Sequence, residues 1–208
     1  MKKVLTAIIF ISFLSGCKVE KDSFTKIEAE TSQLINGLKS YSSISEIKNI
    51  HFANNKITTL FNSKLPDGDI RPPYDIIILA VSNYSHLNVN GELELYFFNN
   101  RLMSTTFYPD SLAAYIAGLK KLNIDFNKDY SKDELPENTL KINIAPYTEV
   151  SHSKNYQKNK YYVCWKDVRL GQEEIKWITK YANLSMPTVP LNTTPDKLEQ
   201  AAVLVWLN

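Results

Sequence analysis

The chain has 208 residues, 44% hydrophobic and 12% aromatic, which suffices for one domain with a sizeable core or for two small ones. Its formal charge of +2 includes Lys2 and Lys3, so the rest of the chain is near neutral and carries no field that would draw a nucleic-acid backbone. Arginine occurs only at Arg71, Arg101 and Arg169; we read the excess of Lys, Asn and Ile as the codon bias of an AT-rich genome.

Lys2 and Lys3 precede an apolar run from Val4 to Leu14, broken by Thr6 and Ser12 and followed by the small residues Ser15 and Gly16. This is the pattern of a secretory signal peptide. The run is about 11 residues, short of the roughly 20 that a membrane-spanning helix needs, and no other stretch comes near that length. Leu14-Ser15-Gly16-Cys17 resembles the lipobox of bacterial lipoproteins. The resemblance implies cleavage before Cys17, a diacylglycerol thioether on its sulfur and an acyl chain on the new amine. These are covalent groups, and no other cofactor is expected. Lys18, rather than Asp, follows the cysteine, which in that family implies the outer membrane of a Gram-negative cell. The expected organisation is signal peptide 1–16, lipidated Cys17 with a tether to residue 23, and a periplasmic domain over 24–208, divisible into 24–122 and 139–208. With Cys17 acylated, Cys164 has no disulfide partner; its strand-like surroundings, KYYVCW, favour a buried thiol.

Ile27, Thr31, Leu34, Ile35, Leu38 and Tyr41 have helical spacing and predict a first helix. Ser43 or Ser45 can cap a second through Ile47 and Ile50. Residues 62–75, NSKLPDGDIRPPYD, are turn-rich and predict a loop. Tyr74 to Val81 predicts a strand, and Asn88 to Gly91 a turn. Glu92 to Phe98 alternates, with Leu93, Leu95 and Phe97 on one face. A three-residue turn at Asn99 to Arg101 would place Leu93, Leu95 and Phe97 opposite Phe107, Thr105 and Met103, grouping the apolar side chains. Asp110 can cap a helix bearing Leu112, Tyr115, Ile116, Leu119 and Leu122, followed by a charged loop over 123–138. Strands are predicted from Leu140 to Val150 and from Tyr161 to Trp165. Gln172 to Ala182 predicts a helix with Ile175, Ile178 and Ala182 inward, and Thr194-Pro195 opens a closing helix. The order α-α-β-β-β-α, then β-β-α-α, predicts an α+β fold with an antiparallel meander. Over residues 27–108 that order resembles BamE/SmpA-type outer-membrane lipoproteins, which implies two helices on a three-stranded sheet; no functional residue carries over.

No complete catalytic or metal-binding pattern is present. The spacing Ser-x-x-Lys occurs four times without its companion motifs, no Gly-x-Ser-x-Gly elbow exists, and His51, His86 and His152 are dispersed. Asp125-x-Asn127-x-Asp129 begins like a calcium loop but has Tyr130 and Pro136 where Gly and Glu are needed. The candidate partner-binding residues are Arg71 and Tyr74, on a proline-stiffened loop, and Arg101 at a hairpin turn, since Arg and Tyr are enriched in binding hot spots. The expectation is a non-enzymatic, lipid-anchored envelope protein that binds another envelope protein. The alternatives are an inhibitor or immunity-type lipoprotein, with residues 71–74 as the plug, and an envelope hydrolase.

Overall fold

A computed structural model describes residues 24–53, 55–126 and 139–183. The leader, Cys17 and the segment after Thr194 lie outside the described residues. The elements are a 3-10 turn at Ile35–Gly37, α1 (Ile44–His51), β1 (Ile57–Lys64), β2 (Asp75–His86), β3 (Val89–Phe98), β4 (Arg101–Pro109), α2 (Leu112–Lys121), β5 (Leu140–Ala145), β6 (Thr148–Asn155), β7 (Lys160–Asp167) and α3 (Val168–Tyr181). The strands form one antiparallel sheet in the order β1-β2-β3-β4-β7-β6-β5. The fold is therefore α+β, built on a meander. The stretches 24–122 and 139–183 are not separate sheets: β4 and β7 join them through pairs from Ser104↔Lys166 to Phe107↔Val163.

The alternation along β3 decides the layers, because successive side chains of a strand point to opposite faces. Leu93, Leu95 and Phe97 share a face, fully buried with Leu79, Val81, Phe107, Val163 and Trp165. Ile47 of α1, Tyr115 and Leu119 of α2, and the Leu34–Leu38 loop cover them. On the opposite face Ile76, Phe98 and Met103 pack against Leu170, Trp177 and Tyr181 of α3 and against Phe24 and Tyr41. The second helix forms as its cap predicts: the Ser43 hydroxyl accepts from Glu46 N–H, and the Glu46 carboxylate accepts from Ser43 N–H.

Several local expectations are corrected. Residues 27–41 do not form a helix. Asn36 and Gly37 take positive φ (51° and 78°), and the chain doubles back through a Gln33↔Lys39 bridge. Leu34, Ile35 and Leu38 are nonetheless buried, so their spacing reflects a plug-like loop, and Ile27 is exposed. Asn36-Gly37 is itself a turn dipeptide. Residues 62–64 belong to the edge strand β1, so the loop is confined to 65–74. Leu140 to Val150 is a hairpin of β5 and β6, not one strand. The α2 cap is Ser111, not Asp110, and Leu122 is exposed. In α3 the inward stripe is Leu170, Trp177 and Tyr181; Ile175, Ile178 and Ala182 face out. The large aromatic rings bury more apolar area than isoleucines would, and they set the rotation of the helix.

Both hairpin turns are shorter than predicted. Leu87-Asn88 and Asn99-Asn100 are two-residue turns with positive φ at each position, the form that matches the twist of the flanking strands. The first turn therefore lies before Val89, which belongs to β3 with Asn90 and Gly91. At the second turn Phe98 pairs with Arg101 and Phe97 with Leu102. A register shift then makes Tyr96 pair with Ser104, so Met103 is the extra residue. Beyond it Leu95↔Thr105 and Leu93↔Phe107 follow the grouping of apolar side chains. The bulge reconciles a tight Asn-Asn turn with the facing required by the core.

Gly91 permits the close approach of β3 and β4. A Cβ there would lie 2.3 Å from the Tyr108 carbonyl oxygen and 2.9 Å from the Phe107 ring. Gly91→Ala is expected to destabilise the fold by about 2 kcal/mol, read as a lower urea midpoint with an unchanged slope.

Candidate functional site

Each of the three arginines is held by contacts inside the fold. Arg71 pairs with Asp69 at 2.6 Å, lies 5.7 Å from the Trp177 ring centroid and donates to the Tyr181 carbonyl. Tyr74 packs on Trp177 with ring centroids 4.2 Å apart, and Trp177 Nε1 donates to the Pro72 carbonyl. The 65–74 loop is thus fixed against α3, and Pro66, Asp67, Gly68, Ile70 and Pro73 are what it exposes. Arg101 is 2% exposed. It donates to the carbonyls of Phe98, Lys26 and Phe24 and pairs with Glu173 at 2.9 Å. Its guanidinium therefore fastens the N-terminal segment and α3 to the β3–β4 turn. The structure does not bring Arg71, Tyr74 and Arg101 into one outward patch.

The most buried charge is one that no sequence pattern marked. Asp167 ends β7, caps α3 and is 0% exposed. Its carboxylate accepts from Ser32 Oγ (2.9 Å), Ser40 Oγ (2.8 Å), and Arg169 Nη2 (2.7 Å), Nε (3.1 Å) and backbone N (3.0 Å). Burial alone would push its pKa up; the Arg169 guanidinium and the two hydroxyls outweigh that and hold it below the ordinary carboxylate value. Arg169 also donates to the Glu30 carbonyl and lies 3.9 Å from the Tyr147 ring centroid. The signal in sequence was slight: Asp167 two residues before an Arg, at the end of a strand.

A second region lies on the α3 side of the sheet, toward β6 and β7. Thr106, Tyr108, Ser151, Lys154, Asn155, Tyr162 and Cys164 line an open cleft of about 310 Å³. Beside it Lys158 bridges Glu92 (2.7 Å) and Glu94 (2.5 Å) and lies 4.5 Å from the Tyr108 ring centroid. Burial opposes the Lys158 charge, but the two carboxylates outweigh it and raise its pKa. Burial, aided by Glu94, raises Tyr108 to about 12, with Asn155 acting in the opposite sense. Cys164 is half-buried at the cleft wall and not fully buried as expected; its partial removal from water raises the thiol pKa, which favours the neutral form rather than a nucleophilic thiolate. The cleft thus offers hydroxyls, an amide and an ammonium as hydrogen-bonding groups. His152 adjoins Ser151 in sequence, but strand alternation directs it to the other face, stacked on Tyr161.

His86 is set among Phe107, Tyr115 and Trp165, with Nδ1 2.8 Å from the Tyr115 hydroxyl. His51 is exposed at the end of α1. Among the described residues no group of three or more His, Cys, Asp or Glu could hold a metal ion, and no helix is long and apolar enough to cross a membrane. Of the calcium-like loop only Asp125 is described at its acidic start; it pairs with Lys120 at 3.6 Å.

Compared with protein-family models, curated proteins and solved structures, the chain matches none of them.

Two acid-side predictions follow from these groups. Asp167 binds its proton more weakly when folded, so its contribution is present above its unfolded pKa near 4 and is lost as pH falls through its lower folded value. Asp167→Asn keeps a capping side chain but leaves Arg169 without its buried partner. It should cost about 3 kcal/mol at neutral pH and flatten the acid limb of the stability profile. His86 is lowered to about 4 by burial. Between its unfolded pKa of about 6.5 and that value the unfolded chain binds the extra proton, so stability falls as pH drops across this window. An NMR titration of the His86 ring should find its midpoint near 4, and a midpoint above 6 would contradict the burial argument.

Proposed function

We propose that this is a lipid-anchored, periplasm-facing protein of the outer membrane of a Gram-negative cell, whose α+β domain binds another envelope protein without catalysing a reaction. The observation that carries the reading is the Leu14-Ser15-Gly16-Cys17 sequence behind a basic and apolar leader. The diacylglycerol and N-acyl chains would sit on Cys17, and residues 18–23 would form the tether. Two acyl signals on one residue give a stable anchor, where a single chain gives only marginal binding.

The protein-binding part is supported by the sheet edges. Among the described residues β1 and β5 each pair on one side only, and β1 exposes Leu60 and Phe61, each 49% accessible. An unpaired strand edge offers backbone donors and acceptors to an added strand, and neighbouring apolar side chains give selectivity. The charged groups described above are engaged in holding elements together, which fits a recognition module.

A second reading, an inhibitor or immunity-type lipoprotein, is favoured by the rigidity of the 65–74 loop, because loops act as plugs when a scaffold holds them. Its contact residues would then be Asp67, Ile70 and Pro73, since Arg71 and Tyr74 face α3. Ile70→Asp should abolish protection against the target if the loop is the plug, and full protection by that variant would reject it.

Cells expressing the wild type should incorporate an alkyne palmitate analogue into this protein, and the chain should fractionate with the outer membrane. Cys17→Ser should lose both label and membrane association; unchanged labelling would reject the anchor.

A further inference from the structure

The lipid-anchor reading, on which this inference rests, limits which surface can face the membrane. Six residues, 18–23, separate Cys17 from Phe24. Fully extended at ~3.3–3.6 Å per residue, the step from Cys17 to Phe24 spans at most about 25 Å. A domain of this size has a radius of gyration of about 15 Å and so a thickness of roughly 40 Å. The tether is shorter than the domain is thick, and the surface around Phe24 is held toward the bilayer.

Phe24 does not dangle from the fold. It is 2% exposed, its ring meets Tyr181 edge-on at 5.8 Å, and its carbonyl accepts from buried Arg101. From there the chain runs antiparallel along one flank of α3. Phe24 lies near Lys176, Lys26 connects through Arg101 to Glu173, and the Glu30 carbonyl accepts from Arg169. The tether therefore leaves the domain at the flank of α3.

The chemistry of that surface suits a lipid headgroup layer. The two acids of α3 are engaged by the fold, Glu173 on Arg101 and Glu174 on the Tyr96 hydroxyl at 2.6 Å. The outer face of the helix carries Lys176 and Lys180 on one flank and Ile175 and Ile178 on the other, with isoleucine exposures of 60% and 43%. Ile27, 69% exposed, and Lys26, which pairs with Glu28, extend the same mixture along the neighbouring chain. Isoleucines outside the core beside lysines make the amphipathic pattern of a helix lying at a membrane interface, where apolar side chains enter the headgroup–acyl boundary and lysines meet phosphates.

We propose that the outer face of α3, together with residues 24–30 on its flank, is the surface this domain lays on the bilayer that holds its anchor. In that orientation the face covered by α1 and α2 points away from the membrane, and among the described residues both sheet edges, β1 and β5, lie to the side of the covered surface.

The test uses the lipidated full protein, purified from membranes and placed in vesicles of phosphatidylethanolamine and phosphatidylglycerol. In a Cys164→Ser background one thiol is introduced at a time, Ile178→Cys on α3 or Ala117→Cys on the exposed side of α2, and labelled with an environment-sensitive fluorophore. A headgroup nitroxide lipid should quench the probe at 178 roughly fivefold more than the probe at 117, as expected for a residue seated at the interface. Adding Ile175→Asp should bring the quenching at 178 toward that at 117 while the protein still floats with the vesicles. Equal quenching at the two positions in protein that floats would overturn the proposed surface and leave the anchor standing. Protein that does not float and has no acyl mass would overturn the anchor and this inference together.

Discussion

The Asp167 carboxylate lies where three parts of the chain meet, and the arrangement of the α3 side of the sheet depends on it. A buried carboxylate is costly unless its oxygens are satisfied by charge and hydrogen bonds. Here the satisfying groups come from Arg169, the second residue of α3, and from Ser32 and Ser40, more than 120 residues away in sequence. Meeting that requirement fixes the start of α3 on the end of β7 and draws the 32–40 loop against the same point. The loop then delivers Leu34, Ile35 and Leu38 to the opposite, larger core. One charge thus ties the two hydrophobic layers together.

Arg101 does the corresponding work one turn further along α3, at Glu173. Its guanidinium binds the carbonyls of Phe24 and Lys26 and the carboxylate of Glu173. Both Arg101 and Arg169 lie over the Tyr41 ring, at 5.8 and 5.4 Å from its centroid. Tyr41 has φ 67°, an uncommon conformation for a bulky side chain, and its N–H donates to the Leu102 carbonyl. The ring contacts and that hydrogen bond hold the backbone there. The N-terminal segment is consequently a structural part of the domain, although it has no regular secondary structure from Phe24 to Glu30.

How far the fold could be read depended on which local signals were unambiguous. The alternation Glu92 to Phe98 had one reading, since a strand of period two with three large apolar residues on one face can only bury that face. The cap of α1 had two candidates, Ser43 and Ser45, and the reciprocal bonds with Glu46 selected Ser43. The 27–41 stretch had two readings, because apolar residues at i, i+3 and i+4 can line a helix or a compact loop, and Asn36-Gly37 favoured the loop. In α3 two apolar stripes competed. Ile175 and Ile178 have the spacing, but Leu170, Trp177 and Tyr181 have the area, and the stripe that faces Tyr74 and Phe98 was decided by partners distant in sequence. The candidate site followed the same division. Arg71, Tyr74 and Arg101 are recognisable as unusual residues, yet their chemistry was assigned by neighbours from other elements.

The amino-acid sequence by itself determined the near-neutral charge, the α+β class and the facing of the central strands, and it holds the Leu14-Ser15-Gly16-Cys17 pattern on which the proposed anchor rests. These depend on the order and spacing of residues within about ten positions. Only the tertiary structure decided that the β4–β7 pairing makes one sheet, that Met103 is the bulged residue, that all three arginines turn inward, and that Asp167 is the buried charge. Each of those depends on contacts between segments far apart in the chain, where the cost of burying a charge or leaving a strand unpaired is settled by which partner arrives.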